Sequence, residues 1–331
     1  VTLALLLLLA CALDRLVGDP RWCLHPVQVM GLAIAALQRL AEAWAGDSPW
    51  RLRLGGLLLT LAVVGASGMA GWGLELLAWH APALGTPLLV LGLASALAGG
   101  SLGRAVRAVL QALPDLSQAR ERLAWIVGRQ VSRLPREEIL RAAAETAAEN
   151  AVDGLFAPLF WMSVGAVMHQ LDPRLPGPLA LAWGFKAAST LDSMLGYRRG
   201  RLRWLGTAGA RLDDLLTWLP ARLVALTLPL AAGHPGRTRR LFLAALRDGA
   251  ADASPNAGVS EAAFAHAAGV RLGGANRYPE GVRVKPIVGA AGRPPDVPGV
   301  ERILVLGDRL ELLWLLALLP GLGTLEWLSG R

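Results

Sequence analysis

The stretch ETAAENAVDGLFAPLFW, residues 145–161, decides how the chain is read. Its first half carries three carboxylates, Glu145, Glu149 and Asp153, and its second half is apolar enough for lipid. In a helix these acids follow one another at i, i+4 and i+8, so they share one face, with Asn150 beside them. Charge at the mouth of a membrane helix is costly and comes with a partner or a task. Two explanations stay open. A hard cation such as Mg2+ carrying phosphates would relieve the repulsion, because it accepts carboxylate oxygens while keeping waters and phosphate oxygens. Alternatively, the acids pair with Arg141 or neighbouring arginines at a solvated helix end.

The surroundings of that stretch are those of a membrane protein. The 331 residues are 54% hydrophobic and 18% charged, and the mean hydropathy is +0.44, which is high for a soluble domain. Apolar stretches occur near 1–17, 54–79, 85–103, 154–171, 177–193, 212–233 and 302–325. The first is read as a retained span, since no basic segment precedes it and no small-residue cleavage site follows. Residues 27–45 alternate at helical spacing, which predicts a helix lying on the membrane surface. The fold class expected is therefore all-α: a polytopic integral membrane protein, residues 1–331 forming one membrane-embedded catalytic unit.

The net charge of +8 comes almost wholly from arginine, lysine occurring only at 186 and 285. The segments 104–141 and 198–211 are Arg-rich, whereas the tips near 80–86 and 171–178 are nearly free of basic residues, so the former are expected in the cytoplasm. A cytoplasmic helical insert is assigned to 104–153, with breaks near 113–115 and 133–138, and a cytoplasmic Gly/Pro-rich region to 234–301, with a helix near 258–269. The latter requires 212–233, which contains Pro220, Arg222 and Pro229, to enter and return or to be embedded among other helices. No internal repeat and no nucleic-acid motif is evident. Cys11 and Cys23 form no metal or disulfide pattern and read as packing residues.

Four further polar clusters interrupt the apolar chain. In DRLVGDP, 14–20, Asp14 closes the first apolar stretch, either in a working role or paired with Arg15, and Gly18-Asp19-Pro20 makes a turn. In KAASTLDSMLGYRRGR, 186–201, Lys186 shares a helix face with Thr190, close to Asp192; the lysine either reaches a phosphate or snorkels to the interface. In ARLDDLLTWLPAR, 210–222, Asp213 and Asp214 lie between Arg211 and Arg222, one suited to metal and the other to an arginine. In 254–281, Ser254-Pro255-Asn256 looks like a helix entry, Glu261 lies in the first turns, and Gly258, Gly273 and Gly274 permit close backbone approach. No Walker-type, GxGxxG, HExxH or GxSxG motif is present.

Taken in order, DRLVGDPRWCLHPVQVMG, ETAAENAVDGLFAPLFW, KAASTLDSMLGYR, RLDDLLTWLPAR and SPNAGVSEAAFAHAAGVRLGGANRYPEG resemble the CobD/CbiB family of cobalamin-biosynthesis proteins over about residues 10–285. The resemblance implies adenosylcobinamide-phosphate synthase: a multi-pass enzyme of the bacterial plasma (inner) membrane, its active site facing the cytoplasm. Such enzymes join aminopropanol, or its phosphate, to the propionate of adenosylcobyric acid through an amide, using ATP and Mg2+. On that basis magnesium ATP is assigned to Glu145, Glu149 and Asp153 with Asp213 or Asp214, and its phosphates to Lys186, Thr190 and Arg211. Asp14 or Asp192 would accept the amine's proton, while Asn256, Glu261, Asn276 and Tyr278 would contact the corrinoid or aminopropanol phosphate. Partners beyond these substrates are membrane lipid and, as an open possibility, further copies of the chain, but no nucleic acid. A membrane phosphotransferase or prenyltransferase, and a non-catalytic sensor or transporter, are the competing classes.

Overall fold

A computed structural model describes residues 2–19, 24–278 and 281–328. Its helices, in order, are α1 (Leu3–Leu16), α2 (Pro26–Ala45), α3 (Pro49–His80), α4 (Pro82–Ser95), α5 (Gly99–Gln111), α6 (Leu116–Ala124) and α7 (Arg136–Ala151). A π-helical turn, Val152–Phe156, leads into α8 (Ala157–Leu171), followed by α9 (Pro178–Leu195), α10 (Leu202–Leu205) and α11 (Thr207–Ala231). After a 3-10 turn come α12 (Thr238–Gly249), α13 (Ala257–Ala268), an antiparallel hairpin of β1 (Leu272–Tyr278) and β2 (Gly281–Val288), and α14 (Val297–Leu328). The helical fold class is borne out; the hairpin is an addition to it. Residues 20–23 of the first motif, including Cys23, and Pro279-Glu280 of the last lie outside the described residues.

Among the described residues three helical segments are long and apolar enough to cross a membrane: Pro49–His80, Arg136–Leu171 and Thr207–Ala231, with a fourth if Pro82–Ser95 and Gly99–Gln111 form one broken span. The stretches near 1–17 and 177–193 also form helices but fall short for local reasons. The 14 residues of α1 extend about 21 Å, less than a hydrocarbon core of about 30 Å. In α9 the second half carries Lys186, Ser189, Thr190, Asp192 and Ser193, which lowers its hydropathy.

Of the two alternatives for 212–233, entry and return does not describe the helix: α11 is one continuous helix containing Pro220 and Pro229. Proline lacks the N–H that would reach the carbonyl four residues earlier. For Pro220 that carbonyl belongs to Leu216, and the indole Nε1 of Trp161 donates to it at 3.1 Å, so the break in the helix ladder is repaired from outside.

The chain forms two compact units, residues 1–98 with 157–216 and 317–331, and residues 99–156 with 217–316. In the first, Met30 and Ile34 of α2 pack with Leu59 and Val63 of α3 and with Ala187, Leu191 and Leu195 of α9. Backbones come close where side chains are absent: a Cβ on Gly71 of α3 would lie 2.8 Å from the Leu179 carbonyl oxygen. Four residues further along α3, buried Glu75 caps the start of α9, accepting from the amides of Gly177 (2.8 Å), Leu179 (2.6 Å) and Ala180 (3.2 Å). Helix starts expose amides with no intrahelical partner, and a carboxylate satisfies several of them while opposing the helix dipole.

Replacing Glu75 by Ala leaves those amides buried without an acceptor, so the folded protein in detergent is expected to lose about 3 kcal/mol. Glu75→Gln keeps one acceptor oxygen and should lose less. Thermal unfolding of the two variants checks both the loss and its order.

Candidate functional site

In the second unit α7 is buried on nearly every side from Ile139 to Ala148, and that run includes Arg141 and Glu145. Its alanines bring neighbours close, and the two charges are neutralised by each other and by the hairpin. Glu145 accepts from Arg141 Nη1 at 2.6 Å, from Arg129 Nη2 at 2.8 Å and from the Gly273 amide at 3.0 Å. Arg141 also donates to the carbonyls of Gly273 (3.1 Å) and Ala275 (3.0 Å), to Asn276 Oδ1 (2.9 Å) and to Glu138. Arg129 reaches Asn276 as well, and the Gln130 amide donates to the Arg277 carbonyl at 2.8 Å. Gly273 has φ +93°, and a Cβ there would run into the Pro286 backbone. Only glycine permits this approach.

One turn further along α7, Glu149 faces a different cation. Gly274 pairs with Lys285 across the hairpin and Asn276 with Arg283, so Lys285 and Arg283 lie on the hairpin face that carries Asn276. The Lys285 ammonium contacts Glu261 of α13 and lies 3.6 Å from Glu149 and 3.9 Å from Asp252. Glu261 is buried, whereas the Glu149 side chain is 39% exposed. The cluster thus runs from a closed floor to an open rim. Burial pushes Glu261 up to about 8; Lys285 opposes this, and Glu149 and Glu145 add to it. Burial alone would lower Lys285, but Glu149, Glu261 and Asp252 outweigh it, so the ammonium holds its proton above the ordinary lysine value.

The sequence-predicted residues divide between the units. Glu145, Glu149, Asp153, Asn256, Glu261, Asn276 and Tyr278 belong to the second; Asp14, Lys186, Thr190, Asp192, Arg211, Asp213 and Asp214 belong to the first. The structure brings Glu149 together with Glu261, and Glu145 with Asn276 through the arginines. Asp153 stands on the π-helical turn, a departure from α geometry frequent at functional sites. Asn256 begins α13 as the helix-entry reading expects, and Arg222 clamps it while donating to the Pro255 carbonyl at 2.8 Å. The Tyr278 ring lies under the Arg283 guanidinium, 5.0 Å away. In the first unit, the Thr190 hydroxyl is spent on the Lys186 carbonyl at 2.6 Å, Asp14 is buried in α1, and Asp213 and Asp214 are partly buried in α11. Arg211 of the same helix is exposed.

Glu145 stands paired with Arg141 and Arg129, and Glu149 stands beside Lys285. Among the described residues no three His, Cys, Asp or Glu side chains are grouped to hold a metal ion. The carboxylates of Glu149, Asp252 and Glu261 converge on an ammonium instead. Arg129, Asp252 and Lys285 join the cluster although no motif marks them in the sequence. Lys285 carried a signal, being one of two lysines in an arginine-rich chain, and it lies in VRVKPIV, whose alternation is that of a strand.

The proton held by Glu261 sets a stability dependence on pH. Unfolded, the glutamate loses its proton near 4.5, and folded near 8. Between these values the folded protein holds a proton that the unfolded chain has released, so stability falls as pH rises through the window. The slope is at most about 1.4 kcal/mol per pH unit. Glu261→Gln should flatten it, as measured by thermal or denaturant unfolding from pH 5 to 8.

The CobD/Cbib protein family model matches residues 7–306. A protein of Synechocystis named cobalamin biosynthesis protein CobD is 40% identical over 309 residues, covering 92% of this chain and 87% of its own length. Cobalamin biosynthesis protein CbiB of Salmonella arizonae is 40% identical over 333 residues, covering 97% of each. Its counterpart in Salmonella typhimurium is 41% identical over 307 residues, covering 90% of this chain and 91% of its own. No solved structure matches the chain. A family match spanning nearly the whole molecule, with relatives aligned almost end to end, establishes that this chain belongs to the CobD/CbiB protein family.

Proposed function

We propose that this chain acts in cobalamin biosynthesis as adenosylcobinamide-phosphate synthase, joining aminopropanol or its phosphate to the propionate of adenosylcobyric acid through an amide. Membership of a family whose relatives bear the name cobalamin biosynthesis protein supports the pathway. The observation that carries the chemistry is the convergence of Glu149, Asp252 and Glu261 on the single ammonium of Lys285. The ammonium donates to Glu261, and Glu149 and Asp252 lie within 4 Å of it as further ion-pair partners. The same surroundings suit the primary amine of the second substrate.

A carboxylate is a poor electrophile, so ATP activates the propionate as an acyl phosphate, and the amine displaces phosphate from it. Magnesium enters with ATP as part of that co-substrate. The amine attacks only when neutral, so its proton must pass to a base. Glu261, whose proton affinity lies close to neutral pH, is suited to take and release it, and half-exposed Glu149 is suited to meet the incoming ammonium. Lys285 offsets the charge of the acids while they do so.

Purified protein incubated with adenosylcobyric acid, aminopropanol phosphate, ATP and Mg2+ is expected to yield the amide, read by mass analysis. Glu149→Gln and Glu261→Gln should each lower the rate about 100-fold or more. A folded protein that forms no amide would sink the proposal; variants as fast as the parent would remove these residues from it.

A further inference from the structure

The first unit holds a cavity of about 900 Å3 at the end where α3 and α8 finish and α1, α4 and α9 begin. It is within the range of small-molecule sites. Leu6 of α1, Trp79 of α3 and Leu89 of α4 supply an apolar wall, and His169, Asp172 and Arg174 supply the polar lining from the end of α8 and the turn after it. The chemistry described above uses none of these six residues.

Asp172 and Arg174 are held on one turn, the Arg174 amide donating to Asp172 Oδ1 at 2.9 Å. Both side chains are exposed, and among the described residues neither forms an ion pair. A cavity with an apolar wall and one unpaired charge of each sign is complementary to an amphipath whose head carries both charges. Glu75 also lines the cavity, but its carboxylate is committed to the α9 amides.

We propose that this cavity is a binding site for a zwitterionic, amine-bearing phospholipid of the phosphatidylethanolamine class. The phosphate meets the Arg174 guanidinium, which offers paired donors to phosphate oxygens. The primary ammonium meets Asp172, and the first part of the acyl chains lies along Leu6, Leu89 and the Trp79 ring, a residue type that favours the lipid–water boundary. A quaternary amine has no N–H to give Asp172, and an anionic head leaves Asp172 facing negative charge. Both are disfavoured. α3, long enough to cross the membrane, begins beside Arg51 and Arg53 and ends at the cavity, so the positive-inside bias puts the lipid site on the non-cytoplasmic side. The inference does not rest on the proposed activity.

Native mass spectrometry of the full chain in detergent, with phosphatidylethanolamine, phosphatidylcholine and phosphatidylglycerol of identical acyl chains, tests it. One phosphatidylethanolamine is expected to remain bound under conditions that strip the other two. Arg174→Gln and Asp172→Asn should each lower its occupancy at least tenfold, with the thermal midpoint unchanged, since both are exposed turn residues. Glycerophosphoethanolamine, which has the head but no chains, should not displace it. Equal retention of the three lipids, undiminished occupancy in both variants, or displacement by the chainless head would each overturn the proposal.

Discussion

A carboxylate buried at the centre of a helix has to be neutralised, and in the second unit that requirement organises everything around Glu145. Its side chain is 6% exposed, and an ion taken out of water costs several kcal/mol unless charge and hydrogen bonds replace the lost hydration. Arg141 comes from one turn earlier on the same helix, Arg129 from the segment before it, and the Gly273 amide from the hairpin. The two arginines then have donors to spare, which go to Asn276 and to the carbonyls of Gly273 and Ala275. Neutralising one acid therefore fixes the hairpin against α7, and with it the point at which Lys285 enters the acidic cluster.

The first unit meets the same constraint with backbone dipoles instead of side-chain cations. Glu75 is satisfied by three amides at the start of α9, and the carbonyl left idle by Pro220 is satisfied by an indole. Both solutions suit apolar surroundings, where a polar group without a partner is expensive and water is scarce. Close backbone packing at Gly71 keeps α9 near enough for Glu75 to reach it.

The choice of lysine at 285 follows from shape. Arginine serves almost every other basic position, and its planar fork suits the carboxylate and carbonyl partners of Arg129 and Arg141. Three carboxylates arriving from α7, α13 and the segment between α12 and α13 surround a point, and a compact ammonium fits a point. That geometry links the fold to the proposed amine chemistry.

Hydropathy and arginine placement suffice for the helical membrane class, because burial in lipid demands long apolar helices whatever their neighbours are. The helix entry at Asn256 and the break near 133–138 were legible for an equally local reason, since proline and turn residues act on their immediate neighbours. The i, i+4 relation of Glu145 and Glu149 was legible too. Which cation each would meet was not, because Arg129, Gly273 and Lys285 are 16, 128 and 136 residues from the acids they serve, and only the folded chain closes those distances. The hairpin was hidden by its glycines and by the short VRVKPIV alternation, which acquires meaning once a partner strand is in register. Apolar run lengths and the spacing of the acids are enough to specify a helical membrane protein with an acidic helix face. Tertiary structure alone decided that Glu145 holds the hairpin while Glu149 joins Asp252 and Glu261 around an ammonium, because a charge is assigned its role by what lies within about 4 Å of it.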